Sequence, residues 1–238
     1  MIKTASLTQL NKHMVTMDKS ILYIVVSTFI LCVTGVPHFD TTSANVNIIA
    51  IDDSRIEYKV TNNNLVKVDL FYESLCPDCI ADYPQFPPVV KKLHNYINLQ
   101  TYPYGNAKMY EDNGKTIVKC QHGERECYGN KLHACAIDQL KDVQKYVDFN
   151  ACMMAKRSDD DAADECGELY KVDANAIKTC AKGARGHELL VYYGRESEKI
   201  NYNYVPYVLV DGQVKDDDKP LLDAVCESIH PPPKECDE

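Results

Sequence analysis

A strand-like run that leads into two closely spaced cysteines constrains this chain more than any other feature. Val66-Lys67-Val68-Asp69-Leu70-Phe71-Tyr72 is followed, after three residues, by Cys76-Pro77-Asp78-Cys79. With a helix to follow, the Cys76 thiol falls at a helix N-terminus. Unpaired backbone N–H groups and the helix dipole there favour a thiolate over a thiol. Pro77 suits the first helical turn, where its missing N–H costs nothing. An ionised Asp78 between the thiols works the other way. A thiolate beside a second thiol can attack a disulfide and then be displaced by its neighbour. Cys76 is therefore the expected nucleophile and Cys79 the expected resolving thiol. A zinc half-site or an inert bridge is the competing reading of the pair, but zinc needs further ligands at compatible spacing.

The N-terminus reads as a secretory signal. The apolar run from Ile21 to Val36 follows Lys3, Lys12 and Lys19, and it is shorter than the ~20 apolar residues of a membrane span. Residues 1–35 are taken as the signal, with cleavage after Gly35, Ala44 as a second cleavage candidate and Met17 as an alternative start. An uncleaved signal anchor is the other reading. About two hundred residues remain, enough for one domain with its own core. Of eleven cysteines, Cys32 lies in the signal, so ten remain. Setting aside Cys76 and Cys79 leaves Cys120, Cys127, Cys135, Cys152, Cys166, Cys180, Cys226 and Cys236. An even number in a secreted chain implies a disulfide framework, here of four bridges, although eight cysteines allow ~105 pairings.

Net charge is −9, and about −11 without the signal. An acidic surface argues against a phosphate-backbone partner, which requires Lys/Arg patches, so no nucleic acid is expected. The runs Asp159-Asp160-Asp161 and Asp216-Asp217-Asp218 lack the spaced oxygen ligands and glycine of a calcium loop and read as solvated segments.

Along the chain, Val46 to Ile51 is strand-like, and residues 36–60 fit either a removable pro-segment or an edge strand. After the Cys-x-x-Cys turn a helix is predicted, interrupted at Pro84, Pro87 and Pro88 and resuming through Val89, Leu93 and Tyr96. Leu99–Tyr104 is a second strand. From about residue 108 to 198 the spacing turns helical. Leu132, Ala136, Leu140, Val143 and Val147 lie on one face of an amphipathic helix. Asp173 caps a short helix that ends at Gly183. Tyr204–Val210 reads as a strand, Asp211-Gly212 as a tight hairpin turn, and a last helix is expected with Asp218 as its cap.

Strand, active-site helix, strand, helical block, hairpin and helix make an α/β thioredoxin-like core with a helical insertion, stapled by disulfides, over residues 61–236. Folds of this kind place a cis-proline loop against the Cys-x-x-Cys pair. Val205-Pro206 holds that position, making these two residues the expected substrate-contacting pair. Tyr72, Tyr83 and Tyr207 fit either a rim for unfolded substrate or core packing.

The segment from Cys120 to Cys135 contains Cys120-Gln121-His122-Gly123, then Glu126-Cys127, Asn130 and Cys135. It matches in full the pattern C-Q-H-G-x-x-E-C-x-x-N-x-x-x-x-C. On this segment the chain resembles the gamma-interferon-inducible lysosomal thiol reductases. Tyr104-Gly105-Asn106-Ala107, Cys180-Ala181-Lys182-Gly183 and Tyr204-Val205-Pro206-Tyr207 are similar to that family too, over about residues 65–236. The resemblance implies a thiol reductase of endosomes and lysosomes that opens disulfides of partly unfolded proteins at acidic pH. It implies no bound cofactor, a small thiol such as cysteine or glutathione as electron donor, a role in immunity, and no membrane attachment once the signal is removed. The chain has no Asn-x-Ser/Thr sequon, so delivery through an N-linked tag is not available and secretion gains weight beside the lysosome. Gln121-His122-Gly123 reads more simply as a disulfide-pinned turn than as a catalytic element. Two rivals keep the cysteines but change the function: a disulfide oxidase or isomerase on the same fold, and a disulfide-rich secreted binding protein without turnover.

Overall fold

The computed structural model describes residues 65–237 and, ahead of them, only the backbone of five strands. Strands β1 (Lys12–Met17), β2 (Ile21–Val26) and β3 (Phe29–Ile30) pair antiparallel. Strands β4 (Asn45–Asp52) and β5 (Arg55–Thr61) pair as a hairpin, and β4 covers the strand-like run from Val46 to Ile51. Residues 1–64 form a unit of their own, distinct from residues 65–238. The two cleavage candidates, after Gly35 and at Ala44, lie outside the described residues.

The second unit is built around β6 (Val66–Tyr72), which is buried at every position except Lys67. A strand covered on both faces is mostly apolar, which accounts for Val66, Val68, Leu70 and Phe71; its buried charge, Asp69, pairs with Lys67 at 2.8 Å and accepts from Tyr102 OH at 3.3 Å. It leads into α1 (Pro77–Asp82), a 3-10 turn (Tyr83–Gln85) and α2 (Phe86–Leu93). Pro84 and Pro87 sit at the starts of the turn and of α2, so the prolines divide the helix where their missing N–H groups predict. The crossover returns to β7 (Ile97–Pro103), parallel to β6, with Val66 opposite Ile97 and Tyr72 opposite Pro103. The final hairpin, β10 (Tyr207–Val210) and β11 (Gln213–Val214), adds β10 antiparallel to β6, giving the order β11-β10-β6-β7. Helix α8 (Leu221–Ser228) packs Leu221 and Val225 into the core beneath this sheet.

The inserted block differs from the expected run of helix in two ways, and the cap of the last helix differs as well. It opens with an antiparallel hairpin, β8 (Lys108–Asp112) and β9 (Lys115–Lys119), turning at Asn113-Gly114. Both turn residues have positive φ, 49° and 75°, the conformation that Asn-Gly adopts at least cost in a two-residue hairpin loop. The apolar stripe from Leu132 to Val147 is divided between α3 (Glu124–Leu140) and α4 (Val143–Ala155). Lys141 in the left-handed region ends the first, and the Asp142 carboxylate, accepting from Lys145 N at 2.9 Å, starts the second. Asp218 does not cap the last helix: Pro220 takes the N-cap position, and the Asp218 amide donates instead to Asp216 Oδ1.

Helices α5 (Asp160–Tyr170), α6 (Ala174–Lys182) and α7 (Ala184–Glu198) complete the block. Asp159 caps α5 and Asp173 caps α6. The buried faces form a second core around Leu132, Phe149, Met153, Ile177 and Leu190. Four disulfides tie the unit together: Cys120–Cys127, Cys135–Cys180, Cys152–Cys166 and Cys226–Cys236. The first three lie in the inserted block and the fourth fastens the C-terminal turn to α8. Tyr72 and Tyr83 are wholly enclosed core residues, so of the three rim candidates only Tyr207 reaches solvent.

Candidate functional site: a thiol pair beside a carboxylate–histidine cluster

Cys76 and Cys79 are the free cysteines of the described residues. Cys76 is the N-cap of α1, in extended conformation, with Pro77 in the first turn. Its Sγ accepts the Cys79 backbone N–H at 3.5 Å and lies 3.8 Å from the Val205 carbonyl oxygen. The Val205–Pro206 peptide is cis. The two regions predicted from sequence to meet therefore do meet, although 129 residues separate them.

Electrostatics divide the two thiols. The hydrogen bond from the Cys79 thiol is the largest influence holding Cys76 down, to about 6; the Cys79 and Asp78 amides add to it, while burial and the Asp78 charge oppose it. Cys79, 1% exposed, is pushed far up by burial and by donating to Cys76. One thiol is thus prepared as a thiolate while the other keeps its proton until a bond is formed at Cys76. At pH 5 a group with pKa about 6 is roughly 10% ionised, against ~0.03% for an ordinary thiol at ~8.5.

The β6–α1 loop that carries Cys76 is held by the start of α3, which is the C-Q-H-G-x-x-E-C segment. Ser74 N donates to Asn130 Oδ1 at 2.9 Å, and Ser74 Oγ donates to the Glu126 carbonyl at 3.2 Å. A Cβ on Gly129 would fall 2.4 Å from Ser74 Oγ, so the backbones approach this closely only because residue 129 has no side chain. Gly123, with φ 84°, is the N-cap of α3 and lies within the loop closed by the Cys120–Cys127 bridge. Gln121 Oε1 accepts from Asn106 Nδ2 at 2.8 Å, which links this turn to the Tyr104-Gly105-Asn106-Ala107 segment after β7.

Glu73, Glu126 and His122 meet beneath that turn. Both glutamates are fully buried. The Glu126 carboxylate accepts His122 N through Oε1 at 2.9 Å and faces His122 Nδ1 through Oε2 at 2.5 Å. Glu73 Oε1 accepts Asn106 N at 2.5 Å, and its Oε2 lies 3.5 Å from His122 Nδ1 without a hydrogen bond. Burial first, and then the Glu126 charge, push Glu73 up to about 7. Burial acts against the His122 cation, yet the Glu126 hydrogen bond and the two carboxylate charges raise it above its ordinary value. His122 therefore does more than close a turn. His133, on α3, is enclosed between Tyr72 OH at 3.0 Å and Ser158 Oγ at 2.9 Å, and burial pushes it down to about 3. It stays neutral and lends no charge to the thiolate.

Sequence reasoning missed Glu73. Three residues before Cys76, at the end of a strand, it carries no signal of its own. Only the fold shows that it is buried against α3.

Comparison with known proteins agrees with this geometry. The model of the "Gamma interferon inducible lysosomal thiol reductase (GILT)" family matches residues 67–170. A "Gamma-interferon-inducible lysosomal thiol reductase-like protein" of Anopheles gambiae is 32% identical, covering 75% of this chain and 84% of that protein. The "Gamma-interferon-inducible lysosomal thiol reductase" of Mus musculus is 32% identical over 68% of this chain and 67% of its own length. "GILT-like protein C02D5.2" of Caenorhabditis elegans is 31% identical; the match covers 73% of this chain but only 55% of that longer protein. Among solved structures, the reduced form of the disulfide bond oxidoreductase DsbG from Mycobacterium tuberculosis superposes with TM-score 0.51 at 18% identity, over 74% of this chain and 83% of that one. Reduced DsbA from the same organism also reaches 0.51, at 17% identity, over 72% and 86%. Fold and thiol pair define a thioredoxin-like thiol–disulfide oxidoreductase. Within that class, the chain belongs to the gamma-interferon-inducible lysosomal thiol reductase family.

Proposed function

We propose that the chain reduces disulfide bonds of partly unfolded proteins at acidic pH, with Cys76 as nucleophile and Cys79 as resolving thiol. The Cys76 thiolate attacks one sulfur of a substrate disulfide, forming a mixed disulfide and releasing a substrate thiolate that takes a proton. Cys79 then loses its proton and attacks Cys76 Sγ. The Cys76–Cys79 disulfide forms and the second substrate sulfur leaves as a thiol. Two molecules of a small thiol, cysteine or glutathione, return the pair to the reduced state and are themselves oxidised to a disulfide. No bound cofactor takes part. Val205 and Pro206, lying across the Cys76 thiol, contact the substrate backbone as it enters. The observation that carries this reading is the placement of the Cys76 thiol at the α1 N-cap, where it accepts the Cys79 thiol and N–H; these hydrogen bonds hold its pKa down and leave a usable thiolate fraction in acid. Activity in the lumen of an acidic endolysosomal compartment or after secretion fits the signal-like N-terminus and the four disulfides.

A second reading rests on that same stabilised thiolate. Stabilising the reduced form raises the reduction potential and favours an oxidase. Both are tested by reducing a denatured disulfide-bonded protein with cysteine as donor, at pH 4.5 and at pH 7, using wild type, Cys76→Ser and Cys79→Ser. Turnover at pH 4.5 that disappears in Cys76→Ser supports the reductase. Failure at both pH values by a folded protein, with net oxidation of a reduced substrate by the Cys76–Cys79 disulfide, supports the oxidase. Failure in both directions leaves a binding protein without turnover.

A further inference from the structure

The geometry points to a divalent metal site, suited to zinc, formed by Glu73 Oε2, His122 Nδ1 and Glu126 Oε2 beside the thiol pair. It stands apart from the reductase reading, which needs neither the ion nor these three side chains as reactants.

Three observations converge on it. The three ligand atoms lie within 4.8 Å of one another. Glu73 is fully buried, and its Oε2 points into the cluster with no hydrogen bond of its own. A buried carboxylate oxygen without a hydrogen bond is costly unless it is protonated or meets a cation, and a metal ion would supply that partner. The third observation concerns the oxygens that face away. Glu73 Oε1 is held by the Asn106 backbone N–H at 2.5 Å, and Glu126 Oε1 by the His122 backbone N–H at 2.9 Å. Ligating carboxylates are oriented in this way, with one oxygen fixed by an outer hydrogen bond and the other presented to the ion.

The two separations that involve His122 can be compared with those around a tetrahedral ion. Ligand atoms ~2.0–2.2 Å from a tetrahedral ion stand roughly 3.4 Å apart. Glu73 Oε2 and His122 Nδ1 are already 3.5 Å apart. Glu126 Oε2 and His122 Nδ1, at 2.5 Å, must open by about 1 Å. The His122 side chain is 36% exposed and can make that movement, and its open side leaves a fourth position for water. One imidazole and two carboxylates suit zinc, whereas magnesium and calcium prefer oxygen ligands alone. Glu73 belongs to the β6–α1 loop, His122 to the turn before α3 and Glu126 to the first turn of α3, so a bound ion would join the thiol-bearing loop to the helix that supports it.

The thiols are themselves zinc ligands, so the test first removes them. Zinc is titrated by calorimetry at pH 7.5 into the full chain carrying Cys76→Ser and Cys79→Ser, and into the same protein with His122→Asn or Glu126→Gln added. Circular dichroism shows whether each variant is folded. The site is supported by one equivalent of zinc bound by the thiol-free protein, weakened at least tenfold by either added substitution. It is overturned if the thiol-free protein binds no zinc at 1 mM, or if both folded variants bind as tightly as their parent. Should Glu126→Gln fail to fold, the half-exposed His122 position decides the result. Cobalt in place of zinc gives an independent readout: a visible spectrum lost in His122→Asn supports imidazole ligation, and an unchanged one contradicts it.

Discussion

Replacing Cys79 with alanine should reshape the pH dependence of Cys76 rather than merely slow it. The largest influence holding Cys76 near 6 is the hydrogen bond from the Cys79 thiol, while the Cys79 and Asp78 amides remain in the variant. Losing the thiol donor should raise Cys76 by one to two units, with the amides retaining the rest of the shift. At pH 5 the thiolate fraction then falls from roughly 10% to between 1% and 0.1%. A more basic thiolate is also the better nucleophile, gaining about threefold per unit at a Brønsted slope of ~0.4–0.5. The net result is about a three- to tenfold slower reaction of Cys76 with iodoacetamide at pH 5, and a similar factor faster at pH 9, where both proteins are ionised. The two rate profiles must cross. The assay is the second-order alkylation rate from pH 4 to 10, followed by mass spectrometry at Cys76. Parallel profiles, or a wild-type midpoint above 8, would refute the assignment of Cys79 as the donor that prepares Cys76.

Other consequences follow from the supporting structure. His133 is neutral when folded, with its pKa near 3 against ~6.5 unfolded, so below pH 6.5 the unfolded chain binds a proton that the folded chain does not. Stability should therefore fall as pH drops from 6.5 towards 3, by about 3 kcal/mol at pH 4.5 from this group. Urea unfolding of His133→Gln should show a lower stability at pH 7 and a shallower decline into acid; an equal decline would contradict the argument. Asn130→Ala leaves the Ser74 N–H unpaired in a closed site and should cost ~1–3 kcal/mol, measured by the shift in urea midpoint. Gly129→Ala forces a Cβ to within 2.4 Å of Ser74 Oγ and should cost a similar ~1–3 kcal/mol, with a disturbed Cys76 alkylation profile. Disulfide loops of 45 and 7 residues differ in closure entropy: removing Cys135–Cys180 should cost ~4 kcal/mol and removing Cys120–Cys127 ~2.4. Equal losses would show that native-state contacts outweigh the entropy of the open chain.

The thiol pair and the proline loop were legible because each is a short run of unusual residues at a strand end. The architecture followed from their order along the chain. The hairpin at 108–119 went unread although Asn113-Gly114 announced it, because Met109, Val118 and their neighbours are too few to set a period against the long helices that follow. Lys141 broke the stripe from Leu132 to Val147 by adopting positive φ, and no residue type forecasts that at a lysine. Disulfide partners were beyond reach for another reason. Cys135 on α3 and Cys180 on α6 are brought together by the packing of the helices, with α4 and α5 between them in the chain, and spacing carries no record of that packing. Glu73 and Glu126 illustrate the same gap. A glutamate reads as a surface residue until the fold encloses it, and both are enclosed here.

The central claim is that Cys76 attacks a substrate disulfide and Cys79 releases it. The most direct measurement is to trap the intermediate. Reduced Cys79→Ser protein is mixed with a denatured disulfide-bonded protein at pH 4.5, quenched with acid, and mapped by mass spectrometry without reduction. A substrate chain joined to Cys76, absent from Cys76→Ser and short-lived in wild type, is the expected result. No adduct at Cys76, or an adduct that persists equally when Cys79 is present, would contradict the claim.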